Sequence, residues 1–319
     1  MKKFFIKFSI LFLSFILSGI ILNLLYTRTN YWKTIVAPGV EETIKFKNVP
    51  KDIQLANVGS SHGLCSFDYS NIPYKGFNFA LSGQYFLYDY AILKQYVDRF
   101  SGNAVLLIPI SYFQITRIKS DFQDQRARYY SFLRRKYMDF YSIQEKLEKL
   151  SYDLVPVLTA GDTFRFIFED VVPSDESIVM TESELIKYSI KKHESWTTDS
   201  KYVFDAGKEG FIYNKSLVSQ IIEFCYVHDI RPVLLTTPVT SVLNSIYNEK
   251  TPDFFDDFYR FINELQEVYP SLPYFDYSND PRFENDFSLF RDGDHLNKVG
   301  AEKFTGIIIT DLQASGLLP

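Results

Sequence analysis

Asp52-Ile-Gln-Leu-Ala-Asn-Val-Gly-Ser-Ser-His-Gly63 is the stretch on which the reading of this chain turns. Ile53, Leu55, Ala56 and Val58 supply an apolar strand, and Gly59 lets the backbone turn sharply after it. Ser60, Ser61 and His62 are then presented at the carboxyl end of that strand, where open α/β sheets place their sites. A serine nucleophile fits this position. So does a plain turn, since Ser and Gly favour turns and helix caps everywhere.

Working outward, strand and helix signals alternate. Tyr74 to Phe79 reads as a second strand closed by Ala80-Leu-Ser-Gly83, Gln84 to Phe100 as a helix, and Ala104 to Ile110 as a strand apolar on both faces. Such an unbroken apolar run belongs in the middle of a parallel sheet covered by helices on both sides. Lys215 to His228, Thr251 to Tyr269 and Gly300 to Ala314 predict helices, and Arg231 to Thr236 and Tyr274 to Tyr277 predict strands. The expected fold is α/β, three-layered, with a mainly parallel central sheet.

The amino terminus departs from this pattern. Met1-Lys-Lys precedes an apolar run to Tyr26 that is interrupted by little besides Lys7, Gly19 and Asn23. A hydrocarbon core needs roughly 20 apolar residues, and Lys7 can snorkel toward Lys2 and Lys3. The run is long for a signal-peptide core and no small-x-small cleavage site follows, so residues 1–26 predict one transmembrane anchor. Lys2, Lys3 and Lys7 outweigh Arg28 and Lys33, which places the amino terminus in the cytoplasm and the body of the chain outside the cell membrane. Residues 27–50 read as a juxtamembrane connector, with Tyr31 and Trp32 suited to the interface and Pro38-Gly39 as a turn. Residues 51–319 form the extracytoplasmic domain.

Composition narrows the function classes. A 319-residue chain that is 46% hydrophobic, with 30 Phe and 23 Tyr, can bury a large core, and a net charge of -5 argues against a nucleic-acid partner. Cys65 and Cys225 stand too far apart for a metal cluster or a disulfide scaffold and read as small buried hydrophobes. Around 120–210 the α/β rhythm lapses. Ser120 to Lys149 is charged, Tyr-rich and helical by pattern; its Arg126, Arg128, Arg134, Arg135 and Lys136 suit either a solvated face or a grip on anionic polymer or lipid headgroups. Val171 to Lys208 has no sustained period and reads as an excursion from the sheet, with Phe204 to Gly207 as loop.

The second informative stretch is Arg291-Asp-Gly-Asp-His-Leu-Asn297, just before the closing helix. Asp292 three residues before His295 can accept a ring N–H and fix the tautomer whose other nitrogen takes a proton from a serine. Asn297 suits the helix cap. Asp292 and Asp294 also suggest a calcium loop, but the alternating ligand series stops there, without the terminal Glu. His62 is a rival base to His295, although neighbours on a turn usually point apart.

In their order along the chain, the Gly59-Ser60-Ser61 turn, the Asn78-Phe-Ala-Leu-Ser-Gly83 segment and the Asp292-x-x-His295 turn resemble the blocks of the SGNH/GDSL hydrolase superfamily. The resemblance implies a flavodoxin-like fold with Ser61 as nucleophile, His295 as base, Asp292 as its orienter, and the Ser61 and Gly83 N–H groups as oxyanion donors. It covers four short blocks, not the middle third of the chain. The third block departs: the family's Gly-x-Asn-Asp is replaced by Ile108-Pro-Ile-Ser-Tyr112. An absent oxyanion donor costs on the order of 3 kcal/mol unless Ser111 or a backbone N–H substitutes.

With the anchor, this resembles the subgroup of D-alanyl-lipoteichoic acid transfer proteins and O-acetylating partners of membrane-bound O-acyltransferases. The implied activity is acyl transfer through an acyl-serine, without metal or organic cofactor, from a membrane-bound O-acyltransferase to a cell-surface glycan or teichoic-acid-like polymer. An SGNH esterase, or a catalytically silent envelope scaffold, are the alternatives.

Overall fold

The computed structural model describes residues 1–33, 37–112, 114–115, 126–169, 179–198, 204–251 and 253–319, with the side chains at 38–41, 152, 158–159, 196–198, 204–208 and 254 left aside. Five strands make one parallel sheet: β1 Ile53–Asn57, β2 Gly76–Asn78, β3 Phe100–Pro109, β4 Ile230–Thr236 and β5 Tyr274–Asp276, in the order β2-β1-β3-β4-β5. Parallel pairing needs a crossover between successive strands, and helices supply it. They are α3 Ser61–Ser66, α4 Phe86–Tyr96, α6 Glu182–Thr198, α7 Phe204–Val227, α8 Ser241–Lys250 and α9 Asp253–Val268, with α10 Lys298–Ala314 closing the chain.

Alternation along the strands divides the core between the two faces of the sheet. Leu55, Val105, Leu107, Val233 and Leu235 pack in one cluster with Phe304, Ile308 and Leu312 of α10. Their neighbours Ala56, Leu106, Ile108 and Leu234 point the other way and are equally buried, on the side where α7 covers β4 and α4. The result is an α/β fold of three layers. The strand order reverses between β1 and β3, so the crevice outside their carboxyl ends is the topological switch point where such sheets bind ligands.

The described chain falls into two compact units: Met1–Lys47 with Arg126–Arg135 and Asp139–Asp175, and Asn48–Gln125 with Lys136–Met138 and Glu176–Pro319. The second unit carries the sheet. In the first, α1 Lys2–Arg28 is long and apolar enough to cross a membrane. Where the sequence suggests a turn at Pro38-Gly39, the structure has a further helix, α2 Ala37–Ile44; proline is tolerated in a first turn because its missing N–H would have no intrahelical acceptor there. Pro156–Thr159 and Gly161–Ile167 form short 3-10 turns against α1, where Asn23 Oδ1 accepts the Val157 N–H at 3.2 Å and the Tyr26 hydroxyl meets Thr163 Oγ1 at 2.7 Å.

Three further sequence expectations are corrected. Phe204 to Gly207 is not a loop but the first turn of α7. The helical reading of 120–149 survives only in α5 Ile143–Leu154, capped by Ser142; residues 120–125 lie outside the described residues, and 126–131 and 135–137 are 3-10 turns. Finally, the part of the Val171 to Lys208 excursion that is described contains α6, whose inward residues Leu185, Ser189 and His193 are mostly polar and therefore leave no apolar period.

Candidate active site

Asn57 ends β1 and ties the turn that follows. Its Nδ2 donates to Asn78 Oδ1 and to the Gly63 carbonyl, both at 3.0 Å, while Asn78 Nδ2 donates to the Gly63 and Leu64 carbonyls at 3.1 Å. Gly59 sits at φ +117, a left-handed conformation that side chains rarely adopt, with the Pro109 ring of β3 close by. Its N–H donates to buried Asp89 at 2.8 Å, and its carbonyl accepts the Leu81 N–H at 3.2 Å. That last bond draws the Gly83 turn alongside the Ser61 turn.

The second half of the site is the turn before α10. Phe290 and Leu296 form an antiparallel bridge, Arg291 N–H donates to the His295 carbonyl at 2.9 Å, and Asn297 caps α10 by accepting the Gly300 N–H at 3.0 Å. Thr240 grips the Gly293 carbonyl through its N–H and its hydroxyl, at 3.0 and 2.9 Å.

The two turns bring Ser61, His295 and Asp292 together. Ser61 Oγ lies 2.8 Å from His295 Nε2, and His295 Nδ1 lies 2.9 Å from both oxygens of Asp292. Asp292 Oδ1 also accepts the His295 and Asp294 N–H groups at 2.9 and 3.1 Å, which fixes the carboxylate against rotation. With His295 Nδ1–H donating to Asp292, Nε2 is left as the acceptor facing the Ser61 hydroxyl. Among the described residues neither the Ser61 nor the Gly83 N–H has an acceptor within the chain, and Ser111 is buried without a hydrogen bond to Ser61, His295 or Asp292.

A buried charge cluster adjoins this series and was not foreseen in the sequence. Asp294, next to His295 and 0% exposed at its side chain, accepts from the Lys192 ammonium, from His62 Nε2 at 3.1 Å and from the Tyr188 hydroxyl at 3.0 Å. Its Oδ1 also lies 3.5 Å from His295 Nδ1. Tyr188 and Lys192 are one turn apart on α6, and Gly293 makes room for that helix: a Cβ there would meet the Tyr188 ring at 3.1 Å. Burial pushes the Asp294 carboxyl up, but facing His295, Lys192 and His62 override it and hold the group well below the usual carboxylate range. Burial pushes the His62 imidazole down, with Asp294 opposing, so His62 is engaged as a neutral partner of Asp294 rather than with Ser61. The one sequence signal was the i,i+4 pair Tyr188 and Lys192, uninformative without its target.

The donor atoms of His62, Asp294 and His295 lie within 4.8 Å of one another, close enough to suggest a metal site. The chemistry of the set does not fit one. An ammonium already sits on Asp294, and both ring nitrogens of His295 are committed to Ser61 and Asp292.

Beside the site, an open cleft of about 940 Å³ is walled by Leu64, Phe67, Phe77 and Phe290, with Arg291 and Lys298 as its cationic residues. Cys65 lines it half-buried rather than in the core, whereas Cys225 is fully buried; both are free thiols. His193 is buried against Thr251 Oγ1 at 3.3 Å, and the His228 ring lies against Phe224.

No family model matches the chain, and no curated protein matches it. Among solved structures it is similar to a candidate acylhydrolase from Bacteroides fragilis, at 10% identity and a TM-score of 0.38, over 86% of this chain and 94% of that one. It is also similar to a candidate GDSL-like lipase from Parabacteroides merdae, at 12% identity and a TM-score of 0.37, over 85% and 98% of the two chains.

Proposed function

We propose that the protein is a serine-dependent enzyme of acyl esters, with Ser61 as nucleophile, His295 as general base and Asp292 as its orienter. The observation that carries this reading is the unbroken hydrogen-bonded series Ser61 Oγ, His295 Nε2, His295 Nδ1, Asp292, placed at the switch point of the sheet. Ser61 Oγ would attack the ester carbonyl while its proton passes to His295 Nε2. The tetrahedral oxyanion would rest on the Ser61 and Gly83 N–H groups. Collapse breaks the ester C–O bond, and His295 returns the proton to the departing alcohol. The acyl-serine then passes its acyl group to a second hydroxyl, which His295 deprotonates.

For that second hydroxyl we favour a cell-surface glycan or polyol polymer, with α1 anchoring the enzyme at the outer face of the cell membrane and a membrane-bound O-acyltransferase as donor. The exposed apolar α1 supports it. Water as acceptor makes the same site an esterase. The test is labelling of the full chain with a fluorophosphonate, followed by peptide mapping. Labelling is expected at Ser61 and expected to vanish in Ser61→Ala and His295→Ala; a folded wild type that takes no label would replace the enzyme reading with that of a silent scaffold.

A further inference from the structure

The helix α5 carries an apolar stripe that the first unit leaves uncovered. Ile143, Leu147, Leu150 and Leu154 are each at least half exposed. At 3.6 residues per turn they fall within an arc of about 60° on one side of the helix. The other side is held to the unit: Glu145 pairs with Arg126 Nε at 3.5 Å and accepts the Tyr130 hydroxyl at 2.8 Å. The stripe is therefore fixed in its outward direction.

We propose that this stripe lies in the outer interface of the lipid bilayer, making α5 an in-plane membrane helix at the foot of the anchor. The occupant follows from what the same unit holds next to it. α5 runs directly into the turns of 156–167, and these are bonded to the last turns of α1 through Asn23 and Tyr26 and to the segment just after it through the Tyr31 ring, stacked on Phe166 at 4.5 Å. Those residues stand at the end of the apolar span, the depth at which aromatic side chains gather in bilayers, and Phe168 nearby is 80% exposed. A helix with one apolar face, at the end of a spanning helix, matches the interfacial class.

The lipid chemistry is apolar rather than anionic. On α5, Lys146 and Lys149 are outnumbered by Glu145, Glu148 and Asp153, while Arg126 sits over the Phe140 ring, Arg128 over Tyr129 and Arg135 over Tyr141. Zwitterionic lipid suffices. The inference rests on reading α1 as a membrane anchor, and the experiment separates the two.

The full chain, with Cys65→Ser, is reconstituted in phosphatidylcholine nanodiscs and labelled with an environment-sensitive nitrobenzoxadiazole at Leu147→Cys, Leu150→Cys, Glu148→Cys or Leu13→Cys. Cys225 is buried and its thiol pushed up, so it takes no label. Lipids bearing a doxyl group near the headgroup should quench the labels at 147 and 150 several-fold more than the one at 148, and deeper doxyl groups should quench the one at 13. Labels at 147 and 150 as wet as that at 148, with 13 quenched, would leave the anchor standing and overturn the in-plane helix. Blue-shifted but unquenched labels at 147 and 150 would mean that protein covers the stripe, which overturns it too. No quenching at 13 would overturn both.

Discussion

Replacing Lys192 by Met removes an ammonium from a carboxylate that has no route to water. The Asp294 side chain is 0% exposed and that of Lys192 13%. Stripping one partner from a buried ion pair costs about 3–5 kcal/mol when nothing else compensates. Asp294 keeps His62 and the Tyr188 hydroxyl, so the expected loss is smaller, about 2–3 kcal/mol, the worth of one hydrogen bond to a charged group with its desolvation. For a chain of this size that lowers the urea midpoint by about 1 M. Asp294→Asn should rescue Lys192→Met in part, because the double variant buries no unpaired charge.

The dependence on pH carries the same sign. A carboxyl held below its ordinary value contributes stability above about pH 4 and loses it as pH falls through the depressed value. The gap between wild type and Lys192→Met should be widest near neutrality and close in acid. Urea unfolding of the full chain in detergent micelles at several pH values measures it. Losses that simply add in the double variant, or a gap that does not change with pH, would refute the ion pair as the element that fixes α6 on the His295 turn.

Other expectations follow from single contacts. Asp292→Asn should keep the fold but slow Ser61 labelling by on the order of 10³–10⁴-fold, because the amide cannot hold the same tautomer of His295; an unchanged labelling rate would remove Asp292 from the series. Gly63→Ala places a Cβ 2.5 Å from the Val58 carbonyl oxygen, so the backbone must move and stability should fall by at least about 2 kcal/mol, read as a lowered melting temperature together with slower labelling. His62, its imidazole pushed down by burial, is a group whose stability contribution is full above its ordinary value near pH 6.5 and lost below it. His62→Gln should therefore flatten the fall in stability between about pH 7 and 5, and an equally steep curve would show that His62 is not buried neutral.

What the sequence makes legible is what short-range chemistry constrains. The strand before Gly59, the apolar run of β3 and the Asp292-x-x-His295 turn each specify their geometry within a dozen residues. Helix α6 does not, because its inward face carries Ser189, Lys192 and His193, and an apolar stripe is the signal by which a buried helix is read. Its partner Asp294 lies a hundred positions away, and nothing local announces the pairing. The early start of α7 at Phe204 was hidden for a related reason, since Asp205 and Gly207 are turn-formers where the structure has a helix.

The end of β3 can be understood from the bonds around Gly59. The chain after β3 runs Pro109-Ile-Ser111, with the Pro109 ring against Gly59 and the Ser111 hydroxyl making no bond to Ser61, His295 or Asp292. The Gly59 N–H is already spent on Asp89. Under the proposed function, the donors for a developing oxyanion would be the main-chain N–H groups of Ser61 and Gly83, both without an acceptor in the described chain. Two backbone donors held by the Leu81-to-Gly59 bond and the Asn57–Asn78 clamp are rigid, and rigidity is what makes such donors effective. Weaker oxyanion stabilisation raises the barrier to attack by water and by a bound hydroxyl alike, whereas a hydroxyl held in place by its own binding energy gains the orientation that a free water lacks. Positioning of the acceptor, not the number of oxyanion donors, would therefore decide between transfer and hydrolysis under the proposed function.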